Sequence, residues 1–392
     1  MAKTAASMLQ DASSAHVRAP AAAQSPALAS WPAVVMVAAV LGAALYAFSP
    51  RPLLSFPVTA IGPDQLLIDG LARSGSRLAA VGEQGEILIA DNAKGPWRMA
   101  KVEPQRGSTL TQVLFVDDQL ALAVGHDSWI LRSTDAGASW HEVNFNPELS
   151  EPLLGIAGPY DGKLFAFGGF GQMLVSTDRG QTWQPQKIDT AAPSEAPKPA
   201  AANADPFASD PFGAGATADS GGDRHFNGMV QLSDGALLLV GEKGLMMKSV
   251  DHGEHWTMMP PIYNGSFFGA MQLPSNAVMV YGMRGHAFVS HDAGKSWQAS
   301  SLPIQGSLFG GTVTTDGTIY LVGDSNTVLV SKDAGASFSL AARADHVAVG
   351  ARGGLAAVLP LTGNALLTAG ESGVGVQNLA AGETAPRTGA TP

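Results

Sequence analysis

The chain has 392 residues and no cysteine; 45% of it is hydrophobic and 14% charged. That composition supports a large core and excludes disulfides and thiolate chemistry. Acidic residues exceed basic ones by 33 to 23, the formal charge is −10, and no run of Lys or Arg occurs, which argues against nucleic acid as a partner.

In chain order, residues 1–30 read as a disordered Ala-rich tail carrying Lys3, Asp11 and Arg18. Trp31 to Phe48 is an uncharged apolar run. As a helix it would reach about 27 Å, close to the ~30 Å of a bilayer core. It is expected to be an uncleaved transmembrane anchor over 31–49, ended by Pro50 and Arg51. The alternative is a cleaved signal leaving a soluble periplasmic protein. The long leading segment and the poor fit of Leu45-Tyr46-Ala47 to a cleavage site weigh against it. Lys3, Arg18 and the terminal amine favour a cytoplasmic tail with the remainder outside the cytoplasm.

From 52 to 380 the chain repeats itself. Ser133-Thr134-Asp135-Ala136-Gly137-Ala138-Ser139-Trp140 returns at Ser176–Trp183, Ser249–Trp256, Ser290–Trp297 and Ser331–Phe338, the last with one aromatic exchanged for another. This is the S-x-D-x-G-x-x-W Asp-box. Its Asp is expected to accept backbone N–H groups and close a tight turn, its Gly to supply positive φ, and its aromatic to open the next strand with a buried ring. The structural set is thus Asp135, Gly137, Trp140; Asp178, Gly180, Trp183; Asp251, Gly253, Trp256; Asp292, Gly294, Trp297; and Asp333, Gly335, Phe338.

Ahead of each box, and twice without one, an apolar strand ends in Gly and a turn, as in Val81-Gly82-Glu83-Gln84-Gly85. The first Gly of this phrase stands at 82, 125, 168, 241, 282, 323 and 370, at intervals of 43, 43, 73, 41, 41 and 47. A period of about 40–45 residues with four short strands defines a propeller blade, so the fold is an all-β seven-bladed β-propeller. The first unit has a decayed box, of which Trp97 survives. The last has neither a box nor a fourth strand, and Leu53 to Thr59 could fill that edge, where Pro57 is tolerated.

The long interval holds an Ala/Pro-rich insertion at 185–225, too poor in apolar residues to form a core. It repeats Asp-Pro-Phe, placing Phe207 and Phe212 as candidate docking residues. Residues 381–392 read as a flexible C-terminus.

No catalytic, cofactor-binding or metal-binding residue is assigned. The box carboxylates recur at every outer turn and cannot converge, and His252 and His255 read as surface residues without a third ligand. The residues that follow each hairpin Gly should gather on one face around the channel: Glu83, His126, Phe170, Glu242, Met283 with Arg284, Asp324 and Glu371. Held on a rigid scaffold, they are the candidate partner-binding set. Asp-boxes also occur in sialidases. The Phe/Tyr-Arg-Ile-Pro phrase of those enzymes is absent here, and Arg132, Arg179, Arg284 and Arg343 share no register. A cleft with two carboxylates about 5–10 Å apart, flanked by exposed aromatics, would favour a carbohydrate-active enzyme or lectin.

Boxes and hairpins together resemble the photosynthesis system II assembly factor-like family, Asp-box repeat propellers of the WD40/YVTN-type superfamily, over about residues 55–380. The resemblance implies a non-enzymatic assembly factor. Photosynthetic members bind a reaction-centre precursor, and some bacterial relatives look linked to exporters of the resistance-nodulation-division (RND) type. The expectation is a single-pass protein of a bacterial inner membrane, its propeller facing the periplasm, acting as a platform for a membrane complex without a cofactor.

Overall fold

A computed structural model describes residues 31–48, 66–149, 151–188, 224–342 and 353–380. The tail 1–30, the segment Leu53 to Thr59, Phe207, Phe212 and residues 381–392 lie outside these. The chain divides into two units, 1–60 and 61–392.

The first unit holds one helix, Trp31–Phe48, of 18 residues. Its large apolar side chains, from Val34 and Met36 to Leu41 and Leu45, are exposed on every side. The helix is about 27 Å long, short of a ~30 Å bilayer core. Among the described residues no helix is long and apolar enough to cross a membrane.

The second unit is a seven-bladed propeller. Five of its sheets are four-stranded meanders beginning at Ile68, Leu153, Phe226, Phe267 and Leu308; another, beginning at Leu110, has five strands, and the last has three. The fifth strand of blade 2 is Lys101–Glu103, from the link after blade 1, paired in parallel with Ser139–Asn144. Among the described residues blade 7 has three strands, the third being Gly373–Asn378. Each inner strand touches the inner strand of the next blade, and that of blade 7 touches that of blade 1. An Arg73 guanidinium N–H donates to the Pro360 carbonyl across this seam at 2.7 Å.

The core lies between blades. One buried cluster joins Val81 and Ile89 of blade 1 to Leu110, Ala123, Trp129 and Trp140 of blade 2, and Leu238 and Val240 of blade 4 meet Phe267 and Val280 of blade 5 in the same way. Both faces of the central strands are therefore apolar, which explains runs such as Leu237–Gly241, buried throughout.

Each box is a closed hydrogen-bond unit. Ser133 Oγ donates to Asp135 Oδ1 at 2.7 Å and accepts the Gly137 N–H at 2.9 Å. Asp135 then accepts the Ser139 N–H at 2.9 Å and the Ser139 hydroxyl at 2.6 Å. The other boxes repeat this with Thr182, Ser296 and Ser337 as hydroxyl donors, and with His255 Nδ1 beside Asp251 Oδ2 at 2.7 Å. Box Gly residues have positive φ as expected, and so do their predecessors Ala136, Arg179, His252, Ala293 and Ala334.

Candidate functional site

The hairpin turns have two working positions. The residue directly after the strand-ending Gly points a carboxylate back at its own blade. Glu83 accepts the Leu67 N–H (3.2 Å), Glu242 that of His225 (3.2 Å), Asp324 that of Ser307 (2.7 Å) and Glu371 that of Gly354 (3.0 Å). Each of these N–H groups immediately precedes an inner strand. Blade 3 has Gly169 where these four blades have the acid, and Pro152, which has no N–H, where they have the donor. In four blades the acid accepts the backbone N–H at the head of the inner strand; blades 2 and 5 carry His126 and Met283 at that position.

Phe170 and Arg284 belong to the second position, which corrects the single register expected from the sequence. There the backbone is left-handed (φ 51° at Phe170 and 57° at Arg284) and the side chain stands outward. Phe170 is 54% exposed and meets the His225 ring edge-on at 5.0 Å. His126, from a first position, is also exposed.

The strand-ending glycines answer to a different constraint. Their φ values lie near ±180°, open to any residue, but a Cβ at Gly82 would fall 2.0 Å from the Leu67 carbonyl oxygen, and at Gly370 2.0 Å from that of Gly354. The pairing register slips at this point in every blade, inserting one extra residue into the inner strand (a β-bulge).

The bulged residues are Asp69, Thr111, Leu154, Asn227, Phe268, Phe309 and Ala356, one per blade. Two of them fasten adjacent blades: the Thr111 hydroxyl donates to the Leu153 carbonyl at 2.7 Å, and Asn227 Nδ2 to the Phe267 carbonyl at 2.8 Å. Phe268 and Phe309 lie against each other, centroids 5.4 Å apart. Asp69, Phe309 and Ala356 line a pocket of about 370 Å³ with Leu67, Leu355, Gly354, Gly370 and Glu371. Since Gly370 and Glu371 are hairpin residues, the pocket opens among the turns. Burial, reinforced by the Glu83 charge, pushes the Asp69 carboxyl up to about 6.

Sequence reading found Glu371 and missed Asp69, which stands in no turn or box. The signal was available by counting: Asp69 is the residue just after the first inner-strand residue, aligned with Thr111 and Asn227.

The box carboxylates are pulled the other way. Hydrogen bonds from the Thr182 hydroxyl and N–H hold Asp178 at about 2, and those from Ser296 hold Asp292 at about 2. Both His252 and His255 are exposed, and among the described residues no three His, Asp or Glu come together as a metal would require.

Fold and site define an Asp-box seven-bladed β-propeller with a pocketed turn face. The pattern of the BNR/Asp-box repeat matches residues 174–185, the third strand and box of blade 3. No curated protein sequence matches the chain. Among solved structures it resembles YCF48 bound to D1 peptide, at 14% identity and a TM-score of 0.58, covering 81% of this chain and 94% of that one. YCF48 from Cyanidioschyzon merolae gives 14%, 0.57, 81% and 96%. A streptogramin B lyase gives 11%, 0.60, 81% and 94%. At these identities the likeness is one of fold, which peptide binders and lyases share.

Proposed function

We propose that this protein is a non-catalytic platform, anchored in a bacterial inner membrane with its propeller in the periplasm. Its turn face engages a polypeptide of a membrane complex and assembles or stabilises that complex. The observation that carries this reading is the turn face itself. Phe170 stands exposed at a turn tip, and the bulged strands open a pocket beside Phe309. The YCF48 structure with D1 peptide supports it as an instance of the same fold holding a peptide. An RND-type exporter is the complex that the family resemblance suggests. The helix Trp31–Phe48 supports the anchor, being uncharged and apolar on all sides. Its shortfall of about 3 Å is one that bilayer thinning accommodates.

One observation favours a second reading. Asp69 and Glu371 line one pocket beside a phenylalanine, and Asp69 titrates near 6, as the acid of a glycoside hydrolase would. Against this, they are the only polar side chains of that lining, and one Glu371 oxygen already caps Gly354. Several sugar hydroxyls would be left without partners, at a cost of about 1–3 kcal/mol each.

The test is purification of the tagged full-length chain in mild detergent with quantitative mass spectrometry. A stoichiometric membrane protein, lost on Phe170→Ala with Phe309→Ala or on deletion of 189–223, is expected. A protein that purifies alone and hydrolyses nitrophenyl glycosides would transfer the assignment to the enzyme reading.

A further inference from the structure

Six of the seven bulged positions are neutral: Thr111, Leu154, Asn227, Phe268, Phe309 and Ala356. Thr111 and Asn227 spend their polar atoms on the neighbouring blade. Asp69 is the exception. It is half-buried, and among the described residues no hydrogen-bond donor reaches its carboxylate. A carboxylate half-withdrawn from water without a donor carries a cost, and closing the ring does not require it, because the other blades close with neutral residues. Its neighbours define what would relieve the cost. Glu371 lines the pocket with it, a single oxygen committed. The same lining holds Phe309, 39% exposed, with the Phe268 ring tilted against it at 5.4 Å outside the pocket. Leu67, Leu355, Ala356 and two glycines complete the lining, which among the described residues holds no cation.

We propose that this pocket receives one basic side chain, lysine or arginine, from the bound polypeptide, with Asp69 and Glu371 taking the cation and Phe309 its methylenes. Aromatic faces beside the path of a cation add attraction, and a chain net charged by −10 steers basic segments toward the mouth. At about 370 Å³ the pocket holds one long side chain but not a folded element. The proposal rests on the platform reading and adds the chemistry by which a partner is recognised.

The test uses the full-length chain in mild detergent and two end-blocked pentapeptides, Ala-Phe-Lys-Phe-Ala and its norleucine counterpart, which keeps the methylenes and lacks the charge. Fluorescence anisotropy should show the lysine peptide binding about tenfold more tightly, the worth of one charge-assisted contact. Asp69→Asn should abolish that preference and leave norleucine binding unchanged. Gly354→Ala is a second variant. Its added carbon would lie 3.5 Å from Glu371 Oε1 and 3.8 Å from Phe309 Cε2, ordinary contact distances that the fold accepts. It should weaken both peptides alike. Equal affinity for the two peptides, no binding of either, or an Asp69→Asn protein that still prefers lysine overturns the proposal. The two readings fail separately. A membrane partner that co-purifies equally well with Asp69→Asn removes the basic-residue pocket and keeps the platform. Lysine-selective binding without any co-purifying partner keeps the pocket and removes the platform.

Discussion

The rim and the channel mouth of this propeller use aspartate in opposite ways. At the rim, Asp292 takes a hydroxyl and a backbone N–H from Ser296 and a hydroxyl from Ser290, and its carboxyl falls to about 2. At the mouth, Asp69 has no donor among the described residues, and burial lifts it to about 6. The rim arrangement occurs in five blades and the mouth arrangement in one. A feature repeated around a ring serves closure of the ring. A feature that breaks the repeat against its own stability points to recognition.

The largest effect should come from the rim. Trp140 is fully buried, packs between blades 1 and 2, and donates its indole N–H to the Gly137 carbonyl at 2.8 Å. Trp140→Ala should cost about 3–5 kcal/mol, read as a drop in the urea midpoint of the isolated propeller signal. If the midpoint held, the boxes would be decoration and the contrast between rim and mouth would collapse.

The next effect is smaller and has opposite signs in the two regions. Asp292 titrates below its usual 3.8. Its ionised form is favoured by folding, so its stabilisation is present above about pH 4 and is lost as pH falls toward 2. Asp69 is raised above 3.8. Folding favours its protonated form, so its contribution is fully present below about pH 4 and is lost as pH rises through 6. The neighbouring charge that acts on it is that of Glu83, which is acidic. Asp69→Asn should therefore raise Tm at pH 7–8, with the gain shrinking to nothing near pH 4, while Asp292→Asn should lower Tm at pH 7. An Asp69→Asn protein destabilised at pH 7 would mean that Asp69 has a partner after all.

The rim was almost fully legible in the sequence because every box element is local: Ser, Asp and Gly bond within eight residues. What escaped was the seventh box position. Ser139, Thr182, Ser296 and Ser337 look like arbitrary fillers until their hydroxyls are seen on Asp Oδ2. The blade count was legible from the strand-ending glycines, although their cause was not. A Gly that ends a strand suggests a turn, whereas Gly82 is required by the Leu67 carbonyl pressing on it from the paired strand. The mouth was legible only in part. Glu83, Glu242, Asp324 and Glu371 sit beside an obvious signal, yet their main work is capping. Asp69 lies at a register slip, and a slip is a property of two paired strands that neither strand displays alone.

The smallest effect tests whether the rim itself is uniform. Trp140, Trp256 and Trp297 donate their indole N–H to the box Gly carbonyl, but the buried Trp183 Nε1 has no partner among the described residues. Blade 6 already places Phe338 at the equivalent position, buried without a polar edge. Trp183→Phe removes an unsatisfied donor along with some packing, and the two changes should cancel to within about 1 kcal/mol. Trp140→Phe removes a made hydrogen bond and should cost about 1 kcal/mol for that bond alone, beyond the lost volume. Paired denaturation curves decide between a rim held by the ring and one held by the indole N–H. If Trp183→Phe proved the more damaging of the two, hydrogen bonding would not be what distinguishes one box from another, and ring size against the preceding blade would set the order instead.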